Sequence, residues 1–306
     1  MHRSNRRRFL QQAAGLFLLA PSVVDGRIPR YKPRLSFTTL GCPDWTLDQI
    51  INFARDNHYT GLELRGLLRE MDLTRCPELR ERRQQKTTLR RMRAAGLKFI
   101  NLGSSATLHF PPGKKREENL EEGRRFIDLA HQLECPYVRV FPNNFIAGQE
   151  KMLTIGLIKE GLRVLAEYAR GSGVRVLMET HGDLVWKEDL RMIMHDIHDL
   201  GTGLIWDPCN MWTVTRESPA DVFAILKPYF YHIHVKDARI VGGKPQYCLL
   251  GDGEVPIFEA VDLLASSGYK GSFSFEWEKL WHPELAGPEL AFPDYPVKML
   301  KHFGVN

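Results

Sequence analysis

The chain has 306 residues, of which 43% are hydrophobic and 26% charged, an ordinary balance for a folded globular protein that excludes extended disorder. Its formal charge is +5, but Arg3, Arg6, Arg7 and Arg8 against Asp25 place +3 within residues 1–26 and leave +2 for the rest. That excludes a basic stripe able to neutralise many phosphates, so no nucleic-acid partner is expected. The five cysteines show no CxxC spacing, which excludes a disulfide framework or a zinc knuckle.

In chain order, Asn5-Arg6-Arg7-Arg8-Phe9-Leu10-Gln11 comes first, with paired arginines ahead of a short apolar stretch from Ala13 to Ala20. That stretch falls short of the roughly 20 apolar residues of a membrane span. A charged start, a short apolar run, then small residues and Pro21 predict a signal peptide over residues 1–26 that resembles the twin-arginine type. The expected location is the periplasm, or another exported compartment reached by the twin-arginine route. No membrane attachment is expected after the signal is removed.

From residue 27 onward, apolar runs alternate with amphipathic stretches to the end. Predicted strands are Leu35–Leu40, Gly61–Gly66, Lys98–Leu102, Tyr137–Phe141, Arg175–Met178, Leu204–Trp206, Tyr231–Val235 and Ser272–Phe275. Between them, helices are predicted from Thr46-Leu47-Asp48 onward and over Thr87–Ala95, Glu118–Leu133, Met152–Arg170, Asp189–Leu200, Ala220–Leu226 and Ile257–Ser266, with a last one at Pro296–Phe303. Gly171-Ser172-Gly173 and Gly201-Thr202-Gly203 supply stop signals. The basic runs Arg80–Arg83, interrupted by Glu81, and Lys114–Arg116 read as solvated surface. Eight strands each followed by a helix predict a parallel sheet, and closure of eight such units is the (β/α)8 TIM barrel, an α/β single domain over residues 27–306. A doubly wound open sheet is the alternative. Its nucleotide-binding form needs a Gly-rich first turn, and the first turn here is Leu40-Gly41-Cys42-Pro43-Asp44.

Barrel enzymes place their chemistry at the carboxyl ends of the strands. Strand five ends Leu177-Met178-Glu179-Thr180-His181, and strand six ends Ile205-Trp206-Asp207-Pro208-Cys209-Asn210. Strand seven runs His232-Ile233-His234-Val235-Lys236-Asp237, and strand eight ends Phe273-Ser274-Phe275-Glu276-Trp277-Glu278. Ionisable groups directly after buried apolar runs are costly unless they are paired or bind metal. Glu179, Asp207, His234 and Glu276 together offer three carboxylates and one imidazole from four successive strands. Such a set suits one divalent ion, Mn²⁺, Mg²⁺ or Co²⁺, with Zn²⁺ also admissible. Glu278 lies on the same side of an extended strand as Glu276 and is its rival as fourth ligand.

These stretches, with Leu40-Gly41-Cys42-Pro43-Asp44-Trp45 and Gly61-Leu62-Glu63-Leu64-Arg65-Gly66, resemble the sugar phosphate isomerase/epimerase family of xylose isomerase-like barrels. That family includes ketose 3-epimerases, inosose dehydratases and, more distantly, endonuclease IV. The resemblance spans the barrel from end to end and implies the same four residues as ligands of one metal. It further implies Glu179 and Glu276 as the carboxylates that remove and return a proton beside a carbonyl, through an enolate-like intermediate. His181, Asn210, Lys236, Glu63 and Arg65 are expected as contacts to a small carbohydrate-like substrate. Arg139 is ambiguous between site and packing, and Trp206, Trp277 and Trp281 between sugar stacking and core. Two departures matter. Asn210 stands where the ketose epimerases have a histidine, and strands two and three offer Glu63, Arg65 and Asn101 where the nuclease relatives supply further zinc-binding histidines. The expected activity is thus a metal-dependent sugar isomerase or epimerase. Elimination of a β-oxygen from a keto-sugar or keto-inositol, and a non-catalytic exported carbohydrate-binding barrel, are the alternatives. A homo-oligomer is left open.

Overall fold

A computed structural model describes residues 31–305. The expected signal peptide and its boundary at residue 27 lie outside them. The first strand, β1 (Arg34–Thr38), ends in a 3-10 turn over Thr39–Gly41, two residues short of the expected end at Leu40. Helix α1 (Leu47–Asp56) begins in a reciprocal cap: Gln49 N–H donates to the Thr46 hydroxyl, while the Gln49 side chain accepts from Thr46 N–H. Its Leu47, Ile50, Ile51 and Ala54 recur at helical spacing and are buried. The chain continues through β2 (Gly61–Leu64), α2 (Arg82–Ala94), β3 (Lys98–Thr107), α3 (Lys114–Gln132), β4 (Tyr137–Phe141), α4 (Lys151–Ala169) and β5 (Arg175–Glu179). Then come α5 (Lys187–His195), β6 (Thr202–Trp206), α6 (Pro208–Thr215), α7 (Pro219–Leu226) and β7 (Phe230–Val235). An antiparallel hairpin, β8 (Asp237–Val241) and β9 (Lys244–Cys248), precedes α8 (Ile257–Ser266), β10 (Ser272–Phe275) and α9 (Pro288–His302).

The strands close a parallel barrel in the order β1-β10-β7-β6-β5-β4-β3-β2, so the chain is a single-domain (β/α)8 TIM barrel. Strands such as β6 are buried at every residue, as expected where helices cover one face and the barrel interior the other. The seam between first strand and last helix is aromatic. Phe37 lies 4.2 Å from Phe292 and Phe275 stacks on Tyr295 at 4.7 Å, centroid to centroid. The Tyr295 hydroxyl donates to the Phe273 carbonyl at 3.1 Å. That burial carries α9 through Pro293 and Pro296, which deprive it of two backbone donors. It also explains why the helix starts at Pro288, earlier than the expected Pro296.

Three further differences from expectation have local causes. Strand β3 runs past Leu102 to Thr107 because Ser104, though not apolar, donates its hydroxyl to the Arg139 carbonyl at 2.6 Å and ties β3 to β4. The stretch expected as one helix over Asp189–Leu200 is α5 followed by a 3-10 turn at His198–Leu200. The hairpin is absent from the expected elements, because its exposed outer half lacks alternating apolar residues. Its turn is nevertheless marked by Gly242-Gly243, whose φ values of 59° and 79° are those a tight hairpin turn requires. Both carboxylate oxygens of Asp237 anchor the hairpin: they accept from the N–H groups of Ala238, Gly251, Gly253 and Val255 at 2.8, 2.8, 3.0 and 3.3 Å. Among the described residues, no helix is long and apolar enough to cross a membrane.

Candidate metal centre

Glu179 closes β5, Asp207 follows β6, His234 lies in β7 and Glu276 follows β10. Since β10, β7, β6 and β5 are consecutive around the barrel, the four residues form one arc at its carboxyl end. One ligand atom from each can be chosen so that all four lie within 4.8 Å of one another, and all four residues are buried. Glu276, and not Glu278, belongs to this group.

His234 is the hinge of the arrangement. Its Nδ1 faces Glu276 Oε1 at 3.2 Å and Glu179 Oε1 at 3.5 Å, while its Nε2 lies 3.0 Å from Glu63 Oε1. A carboxylate only accepts, so Glu63 fixes a proton on Nε2 and leaves the Nδ1 lone pair of the neutral ring for an ion. Glu63, expected as a substrate contact, is instead 1% exposed, with its oxygens taken by His234, His232, Ser274 and Asn101 at 3.0, 2.8, 3.0 and 2.8 Å. Two register shifts assist this. An extra residue on β3 brings Asn101 opposite Glu63, and another on β7 brings His232 opposite Ile205.

Charge is held tightly. Arg139 Nη1 donates to Glu179 Oε2 at 2.6 Å, its guanidinium lying 3.9 Å over the Phe141 ring. Burial and the Glu276 charge push the Glu179 carboxyl up, but Arg139 and His234 outweigh them and hold it at about 2. Burial likewise opposes ionisation of Glu276, and His234 and Lys236 overcome it, holding its carboxyl well below the usual range. The His234 ring is driven well above the ordinary imidazole value by Glu276, Glu63 and Glu179, against its burial. Burial pushes the Asp207 carboxyl up to about 7, against the attraction of Lys236 and with the help of the Glu276 and Glu179 charges.

The donor set fits a divalent cation. His234 Nδ1 and Asp207 Oδ2 are buried with no hydrogen-bond partner. The Lys236 ammonium lies 2.9 Å from Asp207 Oδ2, off the hydrogen-bonding direction, and donates to Glu276 Oε2 at 2.8 Å and Glu278 Oε1 at 2.6 Å. It thus supplies positive charge at the edge of the carboxylate cluster. Asp207 also caps α6, its Oδ1 accepting from Asn210 N–H at 2.8 Å, with Pro208 in the first turn.

Above the arc is a narrow cavity of about 50 Å³, walled by Leu40, Phe141 and Trp281 and by Arg65, Arg139, His181, Lys236, Glu179, Glu276 and Glu278. His181 presents a buried Nδ1 with no partner, and burial lowers its pKa, keeping the ring neutral. Asn210 donates to Glu179 Oε1 at 3.4 Å and to the Thr180 carbonyl at 3.2 Å. Of the three tryptophans, Trp206 stacks on Phe230 at 4.6 Å and Trp277 donates to the Ala286 carbonyl, both buried, while Trp281 lines the cavity. The roles of His232 and Arg139 as supports do not emerge from the sequence. For Arg139 the available signal is a lone cation inside an otherwise apolar strand.

A family model described as xylose isomerase-like TIM barrel matches residues 51–292. No curated protein matches significantly. Among solved structures, a xylose isomerase domain protein from Planctomyces limnophilus is 19% identical, with a TM-score of 0.68 over 90% of this chain and 97% of that one. The IOLI protein, solved with a zinc atom, is 14% identical, with a TM-score of 0.73 over 89% and 98%. A 3-keto-D-glucoside 4-epimerase from E. coli is 13% identical, with a TM-score of 0.64 over 80% and 92%.

Proposed function

Because the chain belongs to the xylose isomerase-like TIM barrel family, we propose that it is a divalent-metal-dependent sugar isomerase or epimerase acting by proton abstraction beside a carbonyl. The observation that carries this reading is the buried group Glu179, Asp207, His234 and Glu276, with its ligand atoms within 4.8 Å of one another. Three oxygens and one nitrogen suit Mn²⁺, Mg²⁺ or Co²⁺, with Zn²⁺ also admissible. An ion held there would polarise the substrate carbonyl and stabilise the charge that grows on it.

The chain's own residues do the rest. Glu179 and Glu276 come from the two ends of the arc, β5 and β10, and both are ionised at neutral pH, which is the state a base needs. Arg139 and Lys236 hold their Oε2 atoms and fix the direction in which each carboxylate faces the cavity. His181 and Lys236 offer polar contacts to substrate hydroxyls, and Trp281 an apolar wall. Elimination of a β-oxygen is the second reading. It is favoured by Asn210, an amide that neither gives nor takes a proton where the ketose epimerases resembled have a histidine. We also propose export by the twin-arginine route, tested by replacing Arg6 and Arg7 with lysine and following the protein in periplasmic fractions; equal export of the variant overturns it.

The test of the main reading is solvent deuterium. The Mn²⁺-loaded protein, incubated in D₂O with a panel of keto-sugars, should place deuterium on the carbon next to the carbonyl of at least one. A protein that binds one equivalent of metal and shows no exchange with any of them would be a binding barrel.

A further inference from the structure

Arg65 follows β2 and reaches into the cavity wall with 7% of its surface exposed. Its Nη2 donates to the Ser105 hydroxyl at 3.1 Å, and its Nη1 is buried with no hydrogen-bond partner. Among the described residues it makes no ion pair, whereas its neighbour Arg139 is bound to Glu179 and to the Ser104 carbonyl. Both arginine side chains pass close to Gly103. A Cβ there would lie 2.7 Å from Arg65 Cδ and 3.1 Å from Arg139 Nη2, so the glycine provides space for the pair. Burial, then the Arg139 charge, lower the Arg65 pKa to about 9, and the Glu179, Glu122 and Glu276 charges offset this only in part. A buried cation beside a like charge is costly unless an anion compensates it. Among the described residues, no carboxylate comes within ion-pairing distance to do so.

We propose that the substrate is a sugar acid whose carboxylate is received by Arg65 at the β2–β3 side of the cavity. This rests on the reading of that cavity as the substrate pocket. The planar guanidinium is matched to a carboxylate, and one free edge suits a single monoanionic group. A neutral sugar hydroxyl can accept from Nη1 but leaves the guanidinium charge uncompensated, so the site favours the acid over its uncharged counterpart.

The test compares matched probes that differ only in that group: glycolate with ethylene glycol, and D-glucuronate with D-glucose. Dissociation constants are measured by NMR titration for the metal-free and the Mn²⁺-loaded protein. Wild type should bind at least one acid about ten- to a hundredfold more tightly than its neutral partner. Arg65→Met should abolish the preference with metal stoichiometry unchanged, and Arg65→Lys should restore part of it. An acid preference in the metal-free protein that Arg65→Met removes upholds the proposal even where solvent exchange is absent and the isomerase reading falls. Equal binding of acid and neutral probes by wild type, which requires no variant to fold, overturns it even where exchange with neutral sugars is seen. A preference that survives Arg65→Met also overturns it.

Discussion

The strands on one side of the barrel mouth, β5, β6, β7 and β10, end in Glu179, Asp207, His234 and Glu276, whereas β2, β3 and β4 contribute Glu63, Arg65, Asn101 and Arg139. Both arcs bury ionisable groups, but they settle the cost differently. Glu63, in the second arc, has four hydrogen-bonding partners and nothing left to offer. In the first arc, His234 Nδ1 and Asp207 Oδ2 have none. Buried polar atoms are nearly always satisfied, so two such atoms within one cluster mark where an external partner belongs. Glu63, fully engaged, holds His234 of the first arc in position through its Nε2.

The largest expected effect lies in the first arc. Glu276→Gln keeps the shape but cannot accept a proton, so at Mn²⁺ concentrations high enough to fill the weakened site, solvent exchange into substrate should still fall about 10²–10⁴-fold. Exchange at the wild-type rate would remove Glu276 as a base. The second arc is tested through Glu63→Gln, which touches no proposed ligand atom except through His234. Metal affinity should weaken about 10–100-fold by equilibrium dialysis, the usual cost of losing a ligand's hydrogen-bonding support. Unchanged affinity would make the division between the arcs a matter of packing alone.

The next effect is on pH. Asp207, pushed up to about 7, and His234, raised above its usual value, must both lose protons to bind an ion. Mn²⁺ affinity should therefore fall about tenfold per pH unit below 7 for the Asp207 proton alone, with proton release visible by calorimetry in paired buffers. The sign for stability follows. An acid whose folded pKa of about 7 exceeds its ordinary value of 3.8 favours folding while protonated. That contribution is complete below 3.8 and is lost as pH rises through 7, so the metal-free protein should lose this increment over that window. Asp207→Asn should abolish this part of the pH dependence in melting curves. Smallest is Asp237→Ala, outside both arcs. It deprives four backbone N–H groups of their acceptor and should cost about 1–3 kcal/mol in denaturant unfolding with metal stoichiometry unchanged.

Much of the first arc is legible in the sequence because each of its members ends or follows an apolar run, and a charge in that position stands out. In the second arc Glu63 and Arg65 stand out in the sequence, but the role of Glu63 does not, because it acts through the far nitrogen of a histidine 171 positions away. Such a partnership depends on strand register, and two single-residue shifts set that register. Helix α6 escapes the pattern for a different reason. Asp207-Pro208 reads as a strand end, although an acidic cap followed by proline is equally the start of a helix.

That double use of Asp207 separates survival from activity. Its Oδ1 starts α6 and its Oδ2 faces the ion site, so asparagine could keep the first duty through its side-chain oxygen while losing the charge the second demands. A lineage that drifted through Asp207→Asn would keep the cap of α6 and, in one step, lose the charge that Lys236 faces and that a bound ion would need. If the proposed metal chemistry holds, a silent descendant would be told from a working one by a single nitrogen atom at the head of α6.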